Sequence, residues 1–304
     1  MPKKITDLAV GGQAVIEGVM MRDAAKTATA VRLPNGEIAV ETHPVTSIRD
    51  RYHVFNLPLI RGSVIMVESL VIGMRALSFS AQAAGEEDEQ MTKKEIALTI
   101  LFALVLASIL FIVIPTGAAH LAAAYTNDPI VFNLIEGGIR LAVFLLYIWG
   151  ISWMGGIRRV FQYHGAEHKT IHCYEAGEAL TVENVQKFPR LHPRCGTNFL
   201  LIVMVIAIVF HVFFGWPDLW LRILSRLAVL PVVAGVSYEI IRFAGRSENR
   251  IVRILITPGL WLQYLTTRPP DDEMVEVAIE SLKAVLPPED IPAGSGSYRK
   301  DILC

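Results

Sequence analysis

The sequence contains few cysteines and little charge. Only three cysteines occur in 304 residues, Cys173, Cys195 and Cys304, which is too few for a disulfide-stapled secreted scaffold and favours a reducing compartment. Charged residues make up 19% of the chain, and the 28 basic and 29 acidic residues leave no excess of positive charge to neutralise a phosphate backbone. The composition therefore argues against nucleic acid as a main ligand.

Apolar residues are abundant by contrast. They form 53% of the chain, and the mean hydropathy is +0.44, both higher than in an ordinary soluble domain of this length. Asp7 and Glu17 follow the first lysines before any apolar run of signal-peptide length, so the first residues are expected to stay in the cytosol. The composition predicts an integral membrane protein whose main partner is the lipid bilayer.

Four apolar stretches are predicted to be membrane spans: residues 96–119, 130–154, 199–214 and 219–243. The first lacks charge and, at about 1.5 Å per residue, is long enough for a hydrocarbon core of about 30 Å, whereas the third is short. Charges inside the second and fourth spans normally face a partner, so a polar contact between these two spans is expected. The residues concerned are Glu136, Arg140, Arg222 and Arg226.

Basic residues flank these spans on one side only. Lys93 and Lys94 precede the first span, six basic residues lie in segment 155–198, and further arginines follow the fourth span, whereas connections 120–129 and 215–218 have none. By the positive-inside rule, both termini and segment 155–198 are predicted to be cytosolic, and the chain to lie in the cytoplasmic membrane.

The polar parts predict a small additional unit. In residues 1–56, the run Pro34–Glu37 between two apolar stretches predicts a hairpin. Residues 57–84 are predicted to form an interfacial or packed amphipathic helix, because Arg61, Glu68 and Arg75 recur at sevenfold spacing. Residues 85–95 are predicted to be an acidic linker.

The C-terminal third predicts three further parts. Residues 244–286 are expected to contain an interfacial segment broken at Pro258–Gly259, followed by a helix whose apolar face needs a soluble partner, for which 1–56 is the candidate. Residues 287–304 are predicted to be a disordered tail. The expected fold class is mainly α: a polytopic membrane protein of about four spans with a small cytosolic α+β part formed by the N-terminal hairpin region and the C-terminal helix.

Chemistry-bearing residues concentrate in segment 155–198. His164–His168 matches H-x-x-E-H, in which two imidazoles at i and i+4 bind zinc and the glutamate, here Glu167, acts as general base on a water. In a helix with steps of about 100°, His172 and Glu175 share the face of the two histidines within about 80°. The segment therefore predicts a divalent metal site, with zinc as the metal.

The remaining ligands stay open at the level of sequence. Glu175, His192 and Cys195 are all candidates, the last two in a turn containing Pro193. Against a peptidase, Gly165 lowers helix propensity, and no distant glutamate ligand can be identified. The alternatives are a hydrogen-bonded structural cluster, or a Cys195 nucleophile with His192 as its base.

Four motifs together resemble the bacterial YqhQ family, a polytopic membrane family built on a domain of unknown function. They are Gly11–Arg22, Tyr163–Lys169, His192–Thr197 and Pro258–Gln263, and the resemblance extends from about residue 8 to about residue 285. Members are described as predicted metal-dependent enzymes, so the resemblance implies a metal but no established substrate or reaction.

Two classes of function follow. The first is a metal-dependent membrane hydrolase with a cytosolic site, acting on a membrane-associated substrate. The second is a noncatalytic membrane scaffold or transporter-like protein that engages a protein partner and whose His/Cys cluster is structural. Geometry discriminates them, because a hydrolase needs an open metal position beside Glu167, whereas a structural site is closed by four protein ligands.

Overall fold

The structure, a computed structural model, describes residues 10–85, 92–122, 128–215, 219–244 and 249–295. Its strands are β1 (Gly11–Val15), β2 (Gly18–Arg22), β3 (Lys26–Arg32) and β4 (Ile38–Pro44). Its helices are α1 (Ile48–Arg51), α2 (Ile60–Ala83), α3 (Lys93–Ser108), α4 (Ile114–Ala122), α5 (Pro129–Ile151), α6 (Gly155–Glu175), α7 (Val182–Gln186), α8 (Gly196–Val212), α9 (Leu219–Ala244), α10 (Arg250–Thr266) and α11 (Asp272–Val285). The predicted fold class is confirmed: a mainly helical chain with long apolar helices and one small sheet.

The N-terminal strands form one antiparallel sheet in the order β1-β2-β3-β4. The predicted hairpin connects β3 to β4: Leu33 N donates to Glu37 O at 2.8 Å, and Gly36 has a φ of +87°. Glycine adopts this left-handed conformation without steric cost, which explains the turn at this position. β1 and β4 are the two edges of the sheet.

The C-terminal helix α11 packs on one face of this sheet. It begins at an acidic cap, where Asp271 Oδ1 accepts a hydrogen bond from Met274 N at 2.9 Å. Its apolar side joins Val19, Met21 and other residues of β2 and β3 in one buried core, and α6 lies beside it against β1. The N-terminal region is therefore the soluble partner that the amphipathic helix requires, as the sequence predicts.

Helix α2 packs on the opposite face of the sheet. Met20 and Ala76 lie in the core between them, and two hydrogen bonds tie β1 to α2: Gln13 Nε2 donates to Gly73 O, and Ile16 N donates to Ser80 Oγ. The sheet thus provides the partner surface that the predicted packed helix requires. By length and composition α2 could also cross a membrane, so its position relative to the bilayer stays a prediction.

Four described helices are long and apolar enough to cross a membrane by length and composition: Ile60–Ala83, Ala97–Leu121, Pro129–Ile151 and Leu224–Ala244. The last three coincide with the first, second and fourth predicted spans. The third predicted span corresponds to α8, an apolar helix of 17 residues that is shorter than the others. The four spans predicted from the sequence therefore include α8 but not α2. The four candidate helices of the structure include α2 but not α8.

A charge cluster links α5 to α9, as expected from the charges in those spans. Glu136 accepts hydrogen bonds from Arg140 and from Arg226, each at 2.5 Å. Arg140 Nε also donates to Phe111 O at 2.9 Å, a carbonyl within the π-helical turn Ile109–Val113 between α3 and α4. The side chain of Arg222 lies outside the described residues. The carboxylate is 1% exposed, so the pairing compensates a charge removed from solvent.

Helix α10 runs through Pro258–Gly259, where the sequence predicts a break. The prediction of a broken segment is wrong, because the helix continues through the proline and packs closely on α8. A Cβ at Gly259 would lie 2.7 Å from Asn198 Oδ1, so the glycine lets α8 approach closely. The continuous helix reaches segment 155–198, where it contributes to the candidate site.

Two predicted irregular segments are described only in part. In the predicted disordered tail, Ser295 is 6% exposed and its Oγ accepts a hydrogen bond from Leu180 N at 2.8 Å. The tail therefore packs as far as Ser295, and residues 296–304 lie outside the described part. Most of the predicted acidic linker, residues 86–91, also lies outside it.

Candidate metal centre

Segment 155–198, the predicted cytosolic connection between the second and third spans, contains the 21-residue helix α6. One side of α6 is a core side that packs on α11 and β1. Its buried residues are Tyr163, Ala166, Ile171, Cys173 and Tyr174. Because these residues recur at helical spacing, the histidines at 164, 168 and 172 lie together on another side, which confirms the helical spacing assumed for the motif.

Gly165 allows a backbone segment to cross α6 in the middle of the motif. A Cβ at this position would lie 2.1 Å from Arg268 O, closer than any side chain tolerates. Arg268 N donates to Phe161 O at 2.8 Å, which holds the crossing segment in place. The same segment brings Thr266 O to His164 Nδ1, 2.8 Å away. Glycine therefore occupies position 165 despite its low helix propensity, because it permits the close backbone contact that orients His164.

The turn that carries His192 and Cys195 is fixed by Gln263 of α10. Gln263 is fully buried, with its Oε1 accepting from His192 N and its Nε2 donating to His192 O, both at 2.8 Å. Nε2 also donates to Asn198 Oδ1 at 3.1 Å. Asn198 Nδ2 donates to Pro193 O at 2.8 Å. Three sequence motifs, from α6, the turn and α10, thus meet at one place.

His164, His168 and Cys195 form the first group of converging side chains, which we call the His-His-Cys group. Their ligand atoms all lie within 4.8 Å of one another. His164 Nδ1 bonds to Thr266 O, and His168 Nδ1 bonds to Arg190 O at 2.6 Å. Because a carbonyl only accepts, each Nδ1 carries its proton, which leaves each Nε2 with a free lone pair.

The free Nε2 atoms face the thiol of Cys195. His164 Nε2 lies 3.1 Å from Cys195 Sγ, and His168 Nε2 is buried with no hydrogen-bond partner among the described residues. Burial lowers the pKa of His168 and so favours the neutral imidazole. Thr197 N donates a hydrogen bond to Cys195 Sγ at 3.5 Å, a contact that favours the thiolate. Neutral imidazoles and a thiolate are the ligand forms that zinc prefers.

Glu167 lies between this group and strand β1. It is 5% exposed, and in the described part of the chain nothing hydrogen-bonds to its Oε2. Burial raises its pKa to about 8. A Cβ at Gly12 would lie 3.0 Å from Glu167 Cδ, so the glycine of β1 makes room for the carboxyl group. An unpartnered buried oxygen is costly and is typical of a functional rather than a structural residue.

His172, Glu175 and His192 form a second group, which we call the His-Glu-His group. His172 Nε2 donates to Leu191 O at 2.9 Å, and His192 Nδ1 accepts from Arg194 N at 3.3 Å. His192 Nε2 therefore carries the proton and lies 3.5 Å from Glu175 Oε2. Arg194 also pairs with Glu175. Most of the hydrogen-bonding capacity of this group is engaged within the protein.

The two groups form a continuous row of rings along α6. The ring centroids of His164 and His168 are 4.4 Å apart, those of His168 and His192 5.6 Å, and those of His192 and His172 4.6 Å. Burial lowers the pKa of His192 to about 4, so this central ring is neutral. Neutral rings can lie in contact in this row without charge repulsion, and the second group thereby supports the first.

All six residues predicted as metal ligands thus lie in one of these two groups, and Glu167 lies beside the first. Sequence reasoning missed the residues that orient them: Gln263, Thr266 and Asn198. Gln263 had a signal, since it ends one of the four motifs, but a hydrogen bond to a turn 71 residues away leaves no spacing pattern. The carbonyl of Thr266 acts through the backbone and has no side-chain signal.

Comparison with known proteins identifies relatives but no activity. The family described as "Protein of unknown function (DUF1385)" matches residues 57–288. The chain is similar to the uncharacterized protein YqhQ of Bacillus subtilis (strain 168), with 37% identity over 301 residues that cover 94% of this chain and 95% of the relative. No solved structure matches the chain.

Proposed function

The chain belongs to the DUF1385 family, and from that premise we propose that it is a metal-dependent hydrolase of the bacterial cytoplasmic membrane. The His-His-Cys group binds a zinc ion, and Glu167 acts as general base beside it. One observation carries this proposal: two histidines with protonated Nδ1 atoms present free Nε2 atoms to one thiol, next to a buried carboxyl oxygen without a partner.

The donor set suits a catalytic rather than a structural zinc ion. Structural sites are closed by four protein ligands, whereas catalytic sites have three and keep one position open. Among the described residues, the His-His-Cys group has three members, and no oxygen of Glu167 belongs to it. The hydrogen bonds to Thr266 O and Arg190 O are the outer contacts that orient histidine ligands in zinc sites.

The zinc ion and Glu167 have different chemical roles in this proposal. When bound, zinc would supply a Lewis acid that polarises a carbonyl group and makes a neighbouring water more acidic. The positive charge of a bound zinc ion would lower the pKa of Glu167 and favour its carboxylate form. This carboxylate takes one proton from the attacking water and returns it to the leaving group, so that the carboxylate is regenerated. Because Glu167 is buried beside β1, bulk water is kept from competing for this proton.

The His-Glu-His group has a supporting role in this proposal. Arg194 neutralises Glu175, and the His192 ring lies between the rings of His168 and His172. These contacts hold the turn that presents Cys195 to the histidines. Metal binding by this second group would require breaking its internal hydrogen bonds, which makes it the weaker candidate for a ligand set.

The site lies at the membrane surface on the cytosolic side. Cys195 is the N-cap of the apolar helix α8, so the proposed ligand directly precedes a hydrophobic segment. The distribution of Lys and Arg around the spans supports the cytosolic side for segment 155–198. Substrates would reach this site from the cytosol or from the inner leaflet.

Metal content is the first test. We expect about one zinc per chain, by elemental mass spectrometry, in full-length protein purified in detergent without chelators, and loss of this metal in the double variant His164→Ala plus His168→Ala. His43→Ala is the matched control, because His43 is exposed on β4 and belongs to neither group. It should retain the metal.

Other outcomes would contradict the proposal in different ways. Equal loss of metal in His43→Ala would show that the loss is not specific to the proposed ligands. Absence of metal from the wild type would make the cluster structural and favour the noncatalytic scaffold. A stoichiometric metal whose activity survives Glu167→Gln would remove Glu167 as the base while leaving the metal site intact.

A further inference from the structure

Strand β1 lies at an edge of the sheet. The turn that follows it shows which of its residues hydrogen-bond to β2 and which direct their backbone groups outward. Val15 pairs with Gly18 across a two-residue turn, which makes them a hydrogen-bonded pair. Since such pairs alternate along an antiparallel ladder, Gln13 and Gly11 also bond to β2. Gly12 and Ala14 therefore direct their N–H and C=O groups away from the sheet.

These outward-directed N–H and C=O groups are available for hydrogen bonding. Within the described residues, no hydrogen bond involves the backbone N–H or C=O of Gly12 or Ala14, and Gly12 is exposed. Two residues of an extended strand span about 6.8 Å, the repeat at which another extended chain presents matching groups. An open edge of this kind is a template for strand addition.

This edge lies directly beside the proposed metal centre. The site of a Cβ at Gly12 is 3.0 Å from Glu167 Cδ, and β1 contacts α6 more extensively than β2 does. On α6, steps of about 100° put four of the five core residues, among them Tyr163 and Ala166, on one side of Glu167, and the two histidines of the motif together with Ile171 on the other. The histidines thus lie on the side of Glu167 away from the core of the sheet.

We propose that the outer edge of β1 binds an extended peptide segment, and that the hydrolase is a peptidase. This inference rests on the proposed function, since it names the substrate class of the same site. A strand added to β1 would lie about 4.8 Å beyond it, on the side of Glu167 where the histidines converge. Backbone pairing with Gly12 and Ala14 aligns one peptide bond with the carboxyl group.

The reaction balances with water as the only co-reactant. The water oxygen forms a bond to the peptide carbonyl carbon, and the bond between that carbon and the amide nitrogen breaks. Glu167 receives one water proton and transfers it to the departing nitrogen, which leaves as an amine. The products are a shorter peptide with a new carboxyl group and a second peptide with a new amino group.

Proline substitutions on the two sheet edges test the role of β1. Ala14→Pro removes an outward N–H without touching the ladder to β2. Thr42→Pro is the matched control, because the register of the β3–β4 hairpin gives Thr42 an outward N–H on the opposite edge and its residue is exposed. Both full-length variants should match the wild type in metal content and thermal unfolding.

The substrate probe is a library of peptides made by tryptic digestion of a bacterial membrane fraction. Metal-loaded protein in lipid nanodiscs is incubated with the library, and new peptide termini are identified by mass spectrometry. We expect termini that depend on the wild-type protein and that fall at least tenfold with Ala14→Pro but not with Thr42→Pro. One cleaved peptide is then resynthesised with a single N-methyl group at each amide in turn, and loss of cleavage should recur at every second position.

The outcomes separate this inference from the proposed function. Cleavage that ignores Ala14→Pro and shows no two-residue pattern overturns the role of the β1 edge. A metal-loaded wild type that cleaves no peptide overturns the peptide substrate, whatever else it hydrolyses. Peptide cleavage that persists after chelation and in Glu167→Gln overturns the proposed metal-dependent mechanism instead.

Discussion

Gly165 is the residue at which local and tertiary preferences conflict most clearly. In isolation, alanine would favour the helix by about 1 kcal/mol. The Cβ of that alanine would, however, meet the backbone carbonyl of Arg268 at 2.1 Å, and backbone cannot move away as a flexible side chain can. Because the same segment carries the carbonyl of Thr266, a shift would also disturb the orientation of His164.

We therefore predict that Gly165→Ala destabilises the protein by about 1–3 kcal/mol, the usual cost of overpacking, and lowers its zinc content. Thermal unfolding and elemental mass spectrometry measure the two effects. Gly156→Ala is the control on the same helix, since a Cβ there meets no atom within 4 Å. Equal stability of the two variants would contradict the close contact at Gly165.

The spacing of the site residues was readable from the sequence, but their selection was not. His164, Glu167 and His168 lie within one helix, so the helical repeat alone predicts their common placement. Cys195 and His192 were equally good candidates for a further ligand. Only the hydrogen bonds made by their ring and thiol atoms distinguish them, and those bonds depend on α10, which no local pattern connects to the turn.

At the scale of elements, one ion pair connects the β1–β2 turn to α6. Arg159 donates to both carboxylate oxygens of Glu17 at 2.5 and 2.6 Å, and Tyr163 donates to the same group at 3.3 Å. Glu17 has a φ of 50°, so the turn that presents this carboxylate adopts a left-handed conformation. The contact positions β1 along α6, and with it the edge next to Glu167.

This pair gives a pH dependence with a defined sign. The bond to Arg159 lowers the pKa of Glu17 below its ordinary value of 4.5. A carboxyl group with a lowered pKa in the folded state stabilises the protein above its unfolded-state pKa, and this contribution is lost as the pH falls through the folded-state pKa. The loss should therefore begin below about pH 4.5.

We predict that Glu17→Gln removes this part of the acid sensitivity. At pH 7 the variant should be less stable by under about 1 kcal/mol, because the guanidinium is half exposed and solvent screens the pair. Between about pH 5 and pH 3, its melting temperature should fall less steeply than that of the wild type. Parallel melting curves over this range would show that the pair contributes nothing to stability.

Elements were predictable where local chemistry determines them. The β3–β4 hairpin follows from its Pro-Asn-Gly turn, and α11 follows from its acidic cap and its apolar face. The break at Pro258 was a wrong prediction, because the close packing of α10 on α8 at Gly259 and Asn198 joins residues far apart in sequence. For α6, the sequence predicts the helical spacing of the motif but not the bounds of the helix, because hydropathy identifies spans and gives little weight to polar helices.

At the scale of the whole molecule, hydropathy identifies apolar helices but does not show how deeply each helix lies in the bilayer. Helix α2 satisfies a span by length and composition, yet part of it lies against the sheet through Gly73 and Ser80. In α5 and α9, paired charges at Glu136 and Arg226 make buried polar groups compatible with spans. Depth thus follows from tertiary partners, which the sequence does not show.

The proposed orientation can be tested by single cysteines placed at two exposed positions. Asp128 precedes α5 beside a connection without basic residues, and Lys187 lies in the basic segment between α6 and α8. If both termini and the metal centre are cytosolic, Asp128→Cys should react with a membrane-impermeant maleimide in intact bacterial spheroplasts. Lys187→Cys should react only after permeabilisation, because its segment lies on the other side of the membrane.

Labelling is measured as the gain over the wild-type chain, because Cys195 is partly exposed and could itself react. Equal labelling of both variants in intact spheroplasts would exclude opposite sides for the two segments. Labelling of Lys187→Cys alone would invert the orientation and put the metal centre outside the cytosol. In that case peptides of the extracytoplasmic side would become the substrates to test, because the open edge of β1 would face them with the same backbone groups.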